Sequence, residues 1–140
     1  MGRILAIDYG RKRVGLAVTD ELRMIATPIG TVHSAEVLGY LKSYLADHPV
    51  DIFVVGEPRD MKNQPSESER FIVPFIRHLQ KEFPSTEVVR FDERFTSQMA
   101  ARAIREAGLK KKDRQDKALV DTVSAVLILQ SYLESLSMAR

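Results

Sequence analysis

The feature that most constrains this chain is the run IFVV at residues 52–55, closed off by Gly56 and Pro58. It is wholly apolar and does not alternate, so an extended segment there must be covered on both of its faces. Four residues between turn formers are too few for a helix, and the run reads as a strand in the interior of a parallel sheet.

The flanking segments supply what such a strand needs. Residues 3–8 (RILAID) and 14–19 (VGLAVT) read as strands joined by the polar break Gly10-Arg11-Lys12-Arg13, which suggests an antiparallel hairpin, and residues 24–32 read as a third strand. From Ser34, a plausible N-cap, the period changes: Val37, Leu38, Leu41, Tyr44 and Leu45 fall at helical spacing, and Pro49 marks the stop. Residues 59–65 are a polar loop. Ser66 and Glu69 have capping-box spacing ahead of a second helix that turns Phe71, Ile72, Phe75, Ile76 and Leu79 inward. Pro74 lies inside that pattern and should kink the helix or shift its start. A strand at 88–91 (VVRF) follows, then a helix capped by Thr96 or Ser97 and stopped by Gly108. The charged connection 110–116 leads into a long apolar helix over 117–136. The order predicts an α/β fold, a mixed five-stranded sheet flanked by helices. With 140 residues and no internal repeat or linker, residues 1–140 read as a single domain.

Composition excludes several chemistries. The chain has no cysteine, so disulfides, thiolate metal sites and a cysteine nucleophile are ruled out. The apolar stretch 4–7 is too short for a signal peptide, and nothing approaches a membrane span. A cytoplasmic protein with no membrane partner is the expectation. Net charge is only +2, so any case for an anionic partner rests on local clusters.

Three carboxylates stand where they cost stability. Asp8 ends an apolar strand, Glu93 follows another, and Asp121 interrupts the apolar stretch ALVDTV early in the last helix. Burying a carboxylate is expensive unless it is paired, hydrogen-bonded or metal-bound. Each has a plain structural use: Asp8 as a turn former, Glu93 paired with Arg94, Asp121 as a helix N-terminal charge. Together, two strand ends and one helix make an oxygen-rich site suited to Mg²⁺ or Mn²⁺. Ions in such a site can activate water and stabilise the leaving oxygen of a phosphodiester.

Cations flank these positions. Arg11, Lys12 and Arg13 follow Asp8 directly, and Lys110, Lys111, Lys112, Arg114 and Lys117 precede Asp121. Either group could be a solvated surface, or could grip a nucleic-acid backbone by its phosphates with strong salt sensitivity. His33, His48 and His78 have no metal-ligand spacing, and no serine or threonine has a histidine partner near in sequence. Gly10-x-x-x-x-Gly15 completes neither the P-loop nor the dinucleotide fingerprint.

With these residues in place the chain resembles a known family. Leu5-Ala6-Ile7-Asp8-Tyr9-Gly10 with Arg13-Val14-Gly15-Leu16-Ala17 is similar to the opening motif of the YqgF family, also called RuvX. Val54-Val55-Gly56-Glu57-Pro58, Asp92-Glu93-Arg94-Phe95-Thr96-Ser97 and Lys117 with Val120-Asp121-Thr122-Val123-Ser124-Ala125 resemble its later motifs, in order along nearly the whole chain. The resemblance implies a ribonuclease H-like fold and a metal-dependent nuclease associated with maturation of the small-subunit ribosomal RNA precursor at its 5′ end. Resolution of Holliday junctions, by similarity to RuvC, is the alternative.

The resemblance places the acidic trio on Asp8, Glu93 and Asp121, as metal ligands and catalytic residues. Arg11, Lys12, Arg13, Arg94, Lys112 and Lys117 are the expected substrate contacts. Arg94 would orient Glu93 or neutralise charge in the transition state. Two positions depart from the family pattern. Phe95 replaces an aliphatic residue, and Glu57 stands where many members are apolar; a charge paired with Arg59 is favoured for Glu57 over a fourth metal ligand. Nucleic acid is the expected partner, precursor RNA before branched DNA, with the protein a monomer or homodimer. A non-catalytic assembly factor that binds without cutting is a reading from another class. An actin-like ATPase would need two such domains to enclose ATP.

Overall fold

The computed structural model describes residues 2–58, 67–92 and 117–138, with the helix path alone for 117–119 and 138. The expected helix at 96–108, the loop at 59–65 and the charged connection at 110–116 lie outside the described residues. Five strands, β1 (Arg3–Tyr9), β2 (Arg13–Thr19), β3 (Ala26–His33), β4 (Val50–Glu57) and β5 (Glu87–Asp92), form one sheet in the order β3-β2-β1-β4-β5. The described helices are α1 (Val37–Asp47), α2 (Glu69–Glu82) and α3 (Lys117–Met138).

The first three strands form an antiparallel meander, and β4 and β5 add in parallel to the other side of β1. The IFVV run does lie between two parallel neighbours, with Phe53, Val54 and Val55 fully buried. Side-chain alternation then sorts the core. Leu5, Ile7, Leu16 and Phe53 face one way and pack with Val37 and Leu41 of α1 and Ile72, Phe75 and Leu79 of α2. Ile4, Ala6, Ala17 and Val54 face the other way and meet Ala125, Ile128 and Leu129 of α3. Each large apolar side chain so buried contributes about 1.5–3 kcal/mol, which fixes the helices to the sheet more firmly than their propensities do.

Several local expectations change. β3 begins at Ala26, because the Asp20 carboxylate accepts the N–H groups of Met24 and Ile25 at 2.8 and 2.9 Å and draws both into the preceding turn. Ser34 does not cap α1; its hydroxyl donates to the Arg11 carbonyl at 2.6 Å, and Glu36 occupies the N-cap. Ser66, the other half of the expected capping box, lies outside the described residues, and the Glu69 carboxylate takes the Arg90 guanidinium at 2.6 Å. Ser68 is the N-cap of α2, and the helix continues through Pro74, whose side is exposed. No helix among the described residues is long and apolar enough to cross a membrane.

Candidate active site

Along β1 the α3-facing row runs Ile4, Ala6 and then Asp8, half-buried near the strand end. The ladder partner of Asp8 on β2 is Gly15, and the partner of Gly15 on β3 is Thr31. α3 passes directly over this row. A Cβ on Gly15 would collide with the backbone carbonyl of Asp121, and Thr122 Oγ1 lies 2.7 Å from Thr31 Oγ1. Glycine at 15 is therefore what lets helix and strand backbones touch. The contact sets Asp121 over the strand pair that carries Asp8.

Arg13, the first residue of β2, donates from Nε to Asp121 Oδ2 at 3.0 Å. Only 24% of the Asp121 side chain is exposed, so a charged donor offsets part of its desolvation. Arg13 is thus engaged with a carboxylate, a role beside the phosphate contact expected of it.

Arg11 and Lys12 are exposed in the turn between β1 and β2. The turn is closed by Gly10 N–H donating to Arg13 O at 2.9 Å, and a Cβ on Gly10 would stand 2.6 Å from that oxygen. From the far side Ser34 donates its N–H to Lys12 O at 3.1 Å and its hydroxyl to Arg11 O at 2.6 Å. Both cations are therefore presented on a braced backbone. Gly10, Arg11, Lys12, Arg13 and Asp121 line an open depression of about 290 Å³.

Glu57 lies on the opposite sheet face, the one that Tyr9 shares with α2, and its carboxylate is 3.8 Å from the Arg90 guanidinium. A paired charge is what the structure gives it, with Arg90 as a partner; Arg59 lies outside the described residues. Arg90 also donates to Gly56 O at 3.1 Å and to both Glu69 oxygens, tying the start of α2 to the ends of β4 and β5.

Glu93, Arg94 and Lys112 lie outside the described residues. Lys117 is the first residue of α3, one turn before Asp121. Among the described residues no three carboxylate or imidazole groups gather as a metal-binding set. Of the expected acidic trio, the two described members lie on either side of Gly15: Asp8 is its ladder partner, and the Asp121 backbone carbonyl packs against it. Sequence reasoning missed Gly15, Ser34 and Thr122 as the parts that assemble the site. An isolated glycine inside a strand, such as Gly15, was the one available signal of close backbone approach.

Comparison with known proteins gives the chain its family. A family model described as "RuvX: Holliday junction resolvase" matches residues 2–135. A protein of Parabacteroides distasonis is 57% identical over 135 residues, covering 96% of each chain. Proteins of Porphyromonas gingivalis and Bacteroides thetaiotaomicron are 56% and 54% identical, over 96% of this chain and 98% of each of theirs. All three are named "Putative pre-16S rRNA nuclease". Among solved structures, T. thermophilus RuvC in complex with a Holliday junction substrate superposes with a TM-score of 0.60 at 14% identity, over 96% of both chains. That likeness identifies the fold as ribonuclease H-like. Matched by its family model over almost its full length and by close relatives end to end, the chain belongs to the RuvX family.

Proposed function

We propose that the protein is a nuclease that hydrolyses phosphodiester bonds in structured nucleic acid, and that its substrate is the precursor of 16S ribosomal RNA. The name borne by the close relatives supports the substrate. The observation that carries the chemistry is the placing of Asp8 and Asp121 about Gly15 on one sheet face, with Asp121 lining a depression shared with the braced cations of the β1–β2 turn.

The donor set fits a hard divalent cation, being carboxylate oxygen throughout. Asp8, Asp121 and Glu93 would hold Mg²⁺ or Mn²⁺, which when bound supplies water activation and charge neutralisation at phosphorus. Arg13 orients the Asp121 carboxylate. Arg11 and Lys12 bind substrate phosphates, with Lys112 and Lys117 as further contacts and Arg94 beside Glu93. Because these contacts are to phosphates, binding should fall steeply with salt. A nuclease of ribosomal RNA precursors works in the cytoplasm, and this reading puts the protein there. The description attached to the family supports a second reading, cleavage of a four-way DNA junction, which calls for a two-fold dimer with two active sites.

The test sets a ribosomal RNA precursor fragment against a synthetic four-way junction, with wild type and Asp8→Asn, each in Mg²⁺, in Mn²⁺ and in EDTA. Cutting of the RNA that needs the metal and is lost in the variant is the expected result. Cutting of the junction alone moves the substrate to DNA. Cutting of neither, with both still bound, replaces the nuclease by a binding factor. Wild-type rates in Asp8→Asn would remove Asp8 from the mechanism.

A further inference from the structure

Arg11 lines two depressions. One is the carboxylate-side depression with Asp121; the other, about 270 Å³, opens on the α2 side of β1, where Tyr9, Arg70 and Phe71 also line it. The Phe71 ring is half-buried and sits one position off the core stripe of Ile72, Phe75 and Leu79. Two guanidinium groups attend it, with the Arg11 Cζ 5.3 Å and the Arg70 Cζ 4.9 Å from its centroid. Tyr9 is held beneath, stacked on Phe75 with centroids 4.2 Å apart and rings inclined by 19°. Arg70 also meets Glu67 at 3.3 Å, but both side chains are largely exposed, and such i,i+3 surface pairs exchange at little cost.

An aromatic face, planar guanidinium surfaces and net positive charge are what a nucleotide needs: stacking for the base, ion pairing for its phosphate. The volume lies just under the range of small-ligand pockets, about 300–1,000 Å³, a scale that suits a single base and not a helix. The Arg11 and Arg70 guanidiniums lie over the Phe71 ring, so an incoming base stacks there by displacing the exposed Arg70 group; a base inside a duplex has both faces covered by its neighbours, and only an unpaired one can do so. We propose that this depression receives one unpaired nucleotide of the substrate strand, next to the phosphate gripped between Arg11 and the Asp121 side. The inference rests on the nuclease reading of the adjoining site and adds to it a requirement for a single-stranded flank.

The test uses the full-length protein carrying Asp8→Asn, and RNA strands with one photoreactive iodouridine placed stepwise through a single-stranded flank. Iodouridine joins covalently to aromatic rings on which it stacks, and peptide mapping reads the site. The expected result is a crosslink to Phe71 from one flank position, absent when that position is base-paired and absent in Phe71→Leu. Affinity for the single-stranded flank should fall about tenfold in Phe71→Leu, and also in Arg70→Gln, with blunt duplex affinity unchanged. Unchanged crosslinking and affinity in Phe71→Leu would overturn the proposal, as would equal weakening toward duplex. A Phe71 crosslink on RNA that the wild type never cuts would keep the pocket and remove the nuclease. Asp8-dependent cutting with no Phe71 crosslink would do the reverse.

Discussion

The Nε of Arg13 donates to Oδ2 of Asp121 at 3.0 Å, linking the first residue of β2 to an early turn of α3 across 108 residues of sequence. Two positions further along β2, the absent side chain of Gly15 admits the Asp121 carbonyl. One strand thus holds both the backbone and the carboxylate of the same helical residue. The Arg13 side chain is 41% exposed, so solvent screens the pair and its value to folding is small. Its value to the site is that it fixes where the carboxylate points.

Replacing Arg13 by Gln should therefore separate stability from activity. Urea unfolding should lose no more than about 1 kcal/mol. The single-turnover cleavage rate should fall about tenfold or more, the scale of a lost charge-assisted hydrogen bond. Equal rates in the two proteins would show that Asp121 needs no such orientation.

Gly15→Ala should do the opposite and strike the fold itself. The added methyl meets backbone, which cannot swing aside, so α3 must lift from β2. Overpacking of this kind costs about 1–3 kcal/mol, visible as an earlier midpoint in urea. Cleavage should drop with it even at temperatures where the variant is fully folded. A variant as stable as wild type would mean that helix and strand are not in contact there.

Arg90 lies at 25% exposure between Glu69, at 15%, and Glu57. Arg90→Met would leave these carboxylates facing each other without their cation, a loss of about 3 kcal/mol. The double variant Arg90→Met with Glu69→Met should recover part of that loss, because a buried pair can often be replaced by apolar side chains. No recovery in a double-mutant cycle of thermal unfolding would show that the guanidinium acts through its bond to Gly56 O.

Asp20 supplies a pH signature. Hydrogen bonds from the N–H groups of Ile25 and Met24 hold its carboxyl below the usual aspartate range. A lowered folded value means that the ionised group stabilises the turn fully above the unfolded pKa, near 3.9, and stops doing so as pH falls through the folded value. The difference in melting temperature between wild type and Asp20→Asn should be constant near neutrality and shrink in acid. A difference that grew toward low pH would reverse the assignment.

The fold was legible where periodicity carried it. The unbroken apolar run 52–55 announced a strand covered on both sides, and the stripes Val37 with Leu41 and Ile72, Phe75 with Leu79 announced helices that cover it. The tight basic break after Asp8 announced the β1–β2 hairpin. Where a side chain had two partners to choose from, sequence chose wrongly. Ser34 has the residue type of a helix cap, yet its hydroxyl is taken by the Arg11 carbonyl and Glu36 occupies the N-cap. Capping preferences of about 1 kcal/mol give way readily to such contacts.

What the sequence by itself determined is which residues are extended, which are helical and which face of each is apolar, because those follow from periods of two and of 3.6 along a single segment. It also determined the inventory for the chemistry: acidic residues breaking apolar runs, and cations close by. What only the tertiary structure decided is which of these meet. Asp8 and Asp121 are both placed about Gly15 because β1 pairs with β2 in a register that sets Asp8 opposite it, and because Gly15 has no side chain to keep α3 away. Glu57 faces Arg90 and α2 on the other side of the sheet because strand parity sends it there. Register and helix placement are fixed by the packing of whole faces against one another, and no local pattern in the chain encodes them.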